Sequence, residues 1–149
     1  MNNLFRDFLL LVPTGVLLGT GVAVHAAAKG CSAHKDAPMG QRILAFALAG
    51  APISKIVYAM ILWSVASRAN PLPDTAARVL PWIGWVMALC ALGQGLLAAK
   101  STEPLLIGKP SPIPTLPRFT FTGMLLGFLE TPTVLSLVAG MILSGAPIA

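Results

Sequence analysis

Apolar residues run in four long stretches, roughly Phe8 to Ala28, Ile43 to Ala66, Leu80 to Ala99 and Phe119 to Ser144, with charged residues gathered between them. Each approaches the ~20 residues that a helix needs to cross the hydrocarbon core. None alternates with a period of two, as a barrel strand would, and an open sheet would leave its edge groups unpaired in lipid. The pattern predicts an all-α membrane protein of four transmembrane helices, arranged as two hairpins in a single membrane domain over residues 1–149.

The two halves repeat each other. Leu18-Gly19-Thr20-Gly21 in the first stretch matches Leu92-Gly93-Gln94-Gly95 in the third, an offset of 92 − 18 = 74. Gly50-Ala51-Pro52 in the second aligns with Glu130-Thr131-Pro132 in the fourth, an offset of 130 − 50 = 80, and Met60-Ile61-Leu62 aligns with Met141-Ile142-Leu143 one gap later. The repeat spans 8–68 and 79–146. Two spans per repeat give both hairpins the same orientation, unlike inverted-repeat transporters. Small residues recur at spacings of three and four, at Gly15, Gly19, Ala23, Ala26 and Gly30, and again at Gly84, Ala88, Ala91, Gly95 and Ala98. Each set forms a stripe on one helix face, the device by which membrane helices pack closely. One stripe is ordinary bundle packing; its recurrence favours a tight ring of repeated units.

Composition agrees with lipid as the solvent: 56% hydrophobic, 10% charged, mean hydropathy +0.81. The first connection carries Lys29, Lys35 and Arg42 against Asp36, and the third Lys100, Lys109 and Arg118 against Glu103, so each nets 3 − 1 = +2. Lys and Arg favour the cytoplasmic side, so both termini are expected outside a cell membrane that the chain crosses several times. Although the formal charge is +5, the basic residues are dispersed without an aromatic cluster, so no nucleic-acid partner is expected. Arg6, an apolar run and Ala26-Ala27-Ala28 outline a signal peptide, but Asp7, the length of the run and the repeat favour a retained first helix. Cys31, expected in a cytoplasmic loop, and Cys90, inside a span, make no disulfide framework. His25 and His34 show no ligand spacing, His25 reading as an interfacial anchor, and no resident metal or cofactor is expected. The third connection, Thr102 to Arg118, holds five prolines and is expected to be extended and semi-rigid.

Only Glu130 and Lys55 put charge well inside the predicted spans. A charge there costs ~2.5–3.5 kcal/mol or more, which makes an ionisable group a functional candidate. Desolvation favours the neutral carboxyl, so Glu130 can stay protonated toward lipid and ionise when a polar path or cation reaches it. Thr131 and Gln94 offer oxygens to hold a proton or ligate Na⁺. A structural polar knot between helices is the plain alternative. Lys55 lies five residues past the level aligned with Glu130, ~7.5 Å along the axis and about 140° around it, which favours separation over pairing.

Gly-Gln-Gly in the third span, Gly127-Phe128-Leu129-Glu130-Thr131-Pro132 in the fourth and a second span without a carboxylate together resemble the V-type proteolipid, the ring subunit K or c of rotary ATPases and ATP synthases. The resemblance covers roughly Leu9 to Leu143. It implies a rotor subunit, not itself an enzyme, whose Glu130 carries H⁺ or Na⁺ with Gln94 and Thr131 in support. It also implies a homo-oligomeric ring whose inner circle is formed by the first and third helices. Further implied partners are lipid, a membrane stator subunit, and a central-stalk subunit docking at the cytoplasmic loops around Lys100, Lys109 and Arg118. Sodium-binding members add a threonine and a glutamine on the second helix, where this chain has Ala51 and Pro52, so H⁺ is favoured over Na⁺. Lys55 has no counterpart role and stands as a possible modulator. A competing class is a small four-helix proton-coupled secondary transporter using Glu130; a non-transporting scaffold would tolerate Glu130→Gln.

Overall fold

The computed structural model describes residues 3–68 and 74–108. Helix α1 (Asn3–Ala33) leads through a tight turn to α2 (Met39–Ala49) and, after a 3-10 turn (Ala51–Ile53), to α3 (Ser54–Arg68). Helix α4 (Asp74–Leu106) follows. Three segments are long and apolar enough to cross a membrane: Leu10–Ala33, Met39–Ser64 and Arg78–Leu106. They coincide with the first three predicted spans; the fourth, with Glu130 and Thr131, lies outside the described residues, as do Lys109 and Arg118.

Helices α1 and α4 run parallel and form the main packing interface of the described residues. A methyl at Gly15 would come within 2.6 Å of Ala88 Cα, one at Gly19 would strike the Ala91 carbonyl, and one at Gly30 would meet Leu106 and Thr102 at 2.8 and 3.0 Å. Contacts that advance together along both chains are the signature of parallel helices, and only glycine permits backbones this close. The paired chain α2–α3 runs back antiparallel to both. Ala45 and Ala49 close a cluster with Ala23, Ala27, Cys31, Ala98 and Leu106, and Ala59 and Leu62 are buried further down.

The second span is not one helix, and Pro52 explains why. Its ring nitrogen cannot donate to the Leu48 carbonyl, so the regular ladder fails there. Gly50 N still donates to Phe46 O (3.1 Å), Ile53 N turns to Gly50 O (3.0 Å), and Ser54 Oγ donates to Ala51 O (2.9 Å). These local bonds keep the backbone groups around the proline paired, as lipid requires.

Two expectations are corrected. Cys31 is not in a loop: α1 continues to Ala33, and the thiol is buried in the cluster between α1, α2 and α4. The third connection does not begin extended at Thr102, because α4 carries on through Pro104 to Leu106. Gly108 then ends it with φ +62°, its N–H pointing to Leu105 O (3.4 Å), which is a left-handed helix stop. The Gln41 amide, turned so that its nitrogen faces α4, donates to Leu105 O (3.2 Å) and Leu106 O (3.1 Å) and so ties the start of α2 to the last carbonyls of α4.

Candidate functional site

Chain direction puts the α1 C-terminus, the α2 N-terminus and the α4 C-terminus at one end, so Lys29, Lys35, Arg42 and Lys100 gather there. At the opposite end stand Trp63, Trp82 and Trp85, all exposed, in the manner of an interfacial aromatic belt. His34 and Ala33 line two adjoining hollows at the basic end, of about 450 and 380 Å³. His25 is exposed on α1.

Between the two ends lies a polar layer. Ala49 packs in the cluster with Ala23, Ala27 and Ala98; Lys55 follows six residues on, ~9 Å nearer the other end at ~1.5 Å per residue. The same displacement on α4 leads from Ala98 to Leu92, and on α1 from Ala23 and Ala27 to the stretch from Leu17 to Gly21. Lys55, Gln94 and Thr20 therefore share one level of the bundle. Lys55 is only 3% exposed, with Nζ 5.7 Å from the centre of the Tyr58 ring. Gln94 is 7% exposed, and its Oε1 has no hydrogen-bond partner among the described residues; the same is true of buried Thr20 Oγ1. A buried acceptor without a donor is costly, so Gln94 Oε1 is a place where a donor such as a protonated carboxyl, or a cation, would be stabilised. By contrast, the hydroxyls of Thr14, Ser32 and Thr102 donate to Leu10 O (2.6 Å), Ala28 O (2.9 Å) and Ala98 O (2.9 Å).

Thr20 and Gln94 are also repeat mates, since 20 + 74 = 94. Equivalent residues of the two repeats stand at equal height, yet α1 and α4 touch through faces that are not equivalent. The buried face of α1, which meets α4 at Gly15 and Gly19, holds Val12, Gly15, Val16, Gly19, Ala23 and Ala27. Shifted by 74, these positions become Val86, Leu89, Cys90, Gly93, Leu97 and Ser101, of which only Ser101 is buried. Conversely, α4 buries Gly84, Met87, Ala88, Ala91, Gly95 and Ala98, whose mates Leu10, Pro13, Thr14, Leu17, Gly21 and Val24 are all exposed. This asymmetry escaped the reading of the sequence, in which the two stripes are interchangeable; comparing them position by position at the 74-residue offset would have revealed that Gly15 and Gly84 belong to different faces.

The structure thus brings Gly15, Gly19, Ala88 and Gly95 into one interface, buries Gly84 on the same side of α4, and sets Gln94 and Lys55 in one layer. Among the described residues no group of three or more His, Cys, Asp or Glu side chains forms a metal site. No protein-family model matches the chain, and no curated protein or solved structure matches it either.

Proposed function

We propose that this chain is the ion-translocating rotor-ring subunit of a V-type rotary ATPase or ATP synthase, with Glu130 binding and releasing H⁺ during rotation and Na⁺ as the lesser alternative. The observation that carries this reading is the level-matched, parallel packing of the two repeat helices with the Gln94 acceptor, which has no partner among the described residues, in their middle layer. Parallel repeats standing at one height suit a rotor in which every hairpin must offer its site at the same depth. A buried acceptor on α4 suits a site whose neutral, protonated carboxyl donates to it.

In this reading the chain makes and breaks no covalent bond, and nucleotide chemistry belongs to soluble partner subunits. The membrane stator would meet the ring at the depth of Glu130. The basic end, with Lys100 and the hollows beside His34, would face the central stalk.

The test is carbodiimide labelling of Glu130 in native membranes combined with native mass spectrometry of the mildly extracted protein. Labelling of Glu130 in a complex of many copies supports the rotor, and protection by Na⁺ would exchange the ion. A labelled monomer or dimer would move the assignment to a small proton-coupled transporter.

A further inference from the structure

We infer that one buried water molecule binds at mid-membrane between the hydroxyl of Thr20 on α1 and the amide oxygen of Gln94 on α4, beneath the proline turn of the second span. The site follows from the packing of α1, α2 and α4 and stands apart from the rotor reading.

Helix geometry brings the two side chains to one place. Gly19 and Gly95 meet across the α1–α4 seam. Thr20 lies one residue beyond Gly19, ~100° around α1, and Gln94 lies one residue before Gly95, ~100° the other way around α4. In parallel helices those opposite turns lead to the same flank of the seam. Ala23, Ala27 and Ala98 are turned toward that flank too, and there they pack with Ala45 and Ala49 of α2. Pro52 follows shortly after Ala49, fully buried, in a 3-10 turn that touches both α1 and α4. The second span therefore covers the flank at the level of Thr20 and Gln94.

The usual local remedy is not used at Thr20. Thr14, Ser32 and Thr102 each donate to the carbonyl four residues back, whereas Thr20 Oγ1 makes no such bond to Val16 O, and Thr20 and Gln94 do not bond each other. Both oxygens are out of contact with solvent. A buried polar atom without a partner is costly, and buried water, making about three hydrogen bonds per molecule, is the common way of meeting that cost. Water suits this pair, because it donates to Gln94 Oε1 and either donates to or accepts from the Thr20 hydroxyl. A cation does not suit it: two neutral oxygens fall well short of the about six that hard cations gather, and Lys55, 3% exposed in the same layer, brings positive charge of its own. Gln94 Oε1 has two lone pairs, so a water on one leaves the other for the protonated carboxyl of the proposed function.

Gln41 and Gln94 are the two glutamines of the chain, so isotope-labelled glutamine reports on one side-chain amide at the basic end and one in the polar layer. With the full chain reconstituted in lipid bilayers, water-edited solid-state NMR reads the transfer of magnetisation from water to each. Transfer to the Gln94 amide is expected in the parent, is expected to persist in Thr20→Ser, and is expected to be largely lost in Thr20→Val, with an unchanged Gln41 signal as the check on folding. Thr20→Ala takes the place of Thr20→Val if the latter does not accumulate, with the same expected loss. A Gln94 amide that receives nothing from water in the parent would mean a dry layer, and transfer undiminished in the valine or alanine variant would mean that Thr20 holds no water; either result overturns the proposal. Loss of transfer in the parent when Na⁺ replaces choline at constant ionic strength would put a cation on these oxygens and overturn it as well. Glu130→Gln separates this site from the ion site. Transfer kept in Glu130→Gln and lost in Thr20→Val supports the water whatever becomes of the rotor, whereas the opposite pair of results would assign the exchanging proton to the ion site, removing the water and leaving the rotor reading in place.

Discussion

Gly19 and Gly95 face each other across the α1–α4 interface although neither is the other's repeat mate. Gly19 corresponds to Gly93, and Gly95 to Gly21, and a methyl at either of those two glycines would meet nothing within 4 Å among the described residues. One tetrapeptide pattern, present twice, has thus been put to two uses: its first glycine closes the interface on α1, and its last closes it on α4. The resulting order of faces runs in one direction around the chain, which a two-fold pairing of the repeats would not produce.

This division predicts opposite outcomes for four neighbouring substitutions. Gly19→Val and Gly95→Val place methyl groups into the backbone of the facing helix, and overpacking of this kind costs typically 1–3 kcal/mol. Gly21→Val and Gly93→Val enter open space and should stay within about 0.5 kcal/mol of the parent, as expected of substitutions that disturb no packed neighbour. Thermal unfolding of the detergent-solubilised monomer, followed by circular dichroism, reads the difference. Equal losses at all four positions would show that the glycines serve α-helix close packing on both faces.

The spans were legible because hydropathy over ~20 residues responds to the one requirement lipid imposes on every residue of a helix, and three of the four predicted spans reappear as Leu10–Ala33, Met39–Ser64 and Arg78–Leu106. The same averaging hides what happens inside a span. Pro52 breaks the second one into α2 and α3, yet the run from Ile43 to Ala66 reads as continuous because a 3-10 turn is as apolar as the helix around it. Pro104 misled in the other direction. Near a helix end its missing N–H costs one bond, and α4 passes through it to Leu106, a continuation that proline content alone did not suggest. Cys31 was misplaced for a related reason: charged Lys29 marks the end of the apolar run, while the helix and its buried face continue to Ala33. Gln94 was legible as a polar residue amid apolar ones. Its lack of a donor, shared by Thr20, depends on neighbours from other helices and has no signature in the sequence.

The end of α4 offers a second prediction. Gly108 holds φ +62°, where a side chain is strained by roughly 1 kcal/mol, and Gln41 caps the carbonyls of Leu105 and Leu106 from α2. Gly108→Ala should lower stability by about 1 kcal/mol and Gly108→Asn by less, since asparagine tolerates the left-handed region. Gln41→Leu should cost about 1 kcal/mol through the lost hydrogen bonds. Chemical denaturation in mixed micelles measures all three, and a neutral Gly108→Ala would mean that the helix stop relaxes.

Removing the orphaned acceptor should separate stability from ion binding. Gln94→Leu eliminates a buried Oε1 that lacks a donor among the described residues, so the isolated chain is expected to gain about 1 kcal/mol. Under the proposed function, Gln94 partners the protonated Glu130 carboxyl in the assembled protein, and the same change would remove that partner. A hydrogen bond to the neutral form raises a carboxyl pKa, so its loss lowers it. Carbodiimide reacts with the protonated acid, and the labelling profile should therefore shift to lower pH in Gln94→Leu. A profile that does not move would place Gln94 outside the ion site, whatever the gain in stability.

Lys55 tests the same site from the other direction. It sits in the layer of Gln94 and is almost wholly buried, but its aligned position is turned about 140° from that of Glu130. An ammonium group paired with Glu130 would stabilise the carboxylate, so replacing it with a neutral chain of similar length would raise the labelling midpoint. Separation predicts instead that Lys55→Met leaves the midpoint unmoved, because a charge far from the carboxyl contributes little to its proton affinity. Coupled transport in reconstituted vesicles should then match the parent. An upward shift of one unit or more, with a gain in turnover at alkaline pH, would instead identify Lys55 as an internal counter-charge that restrains protonation.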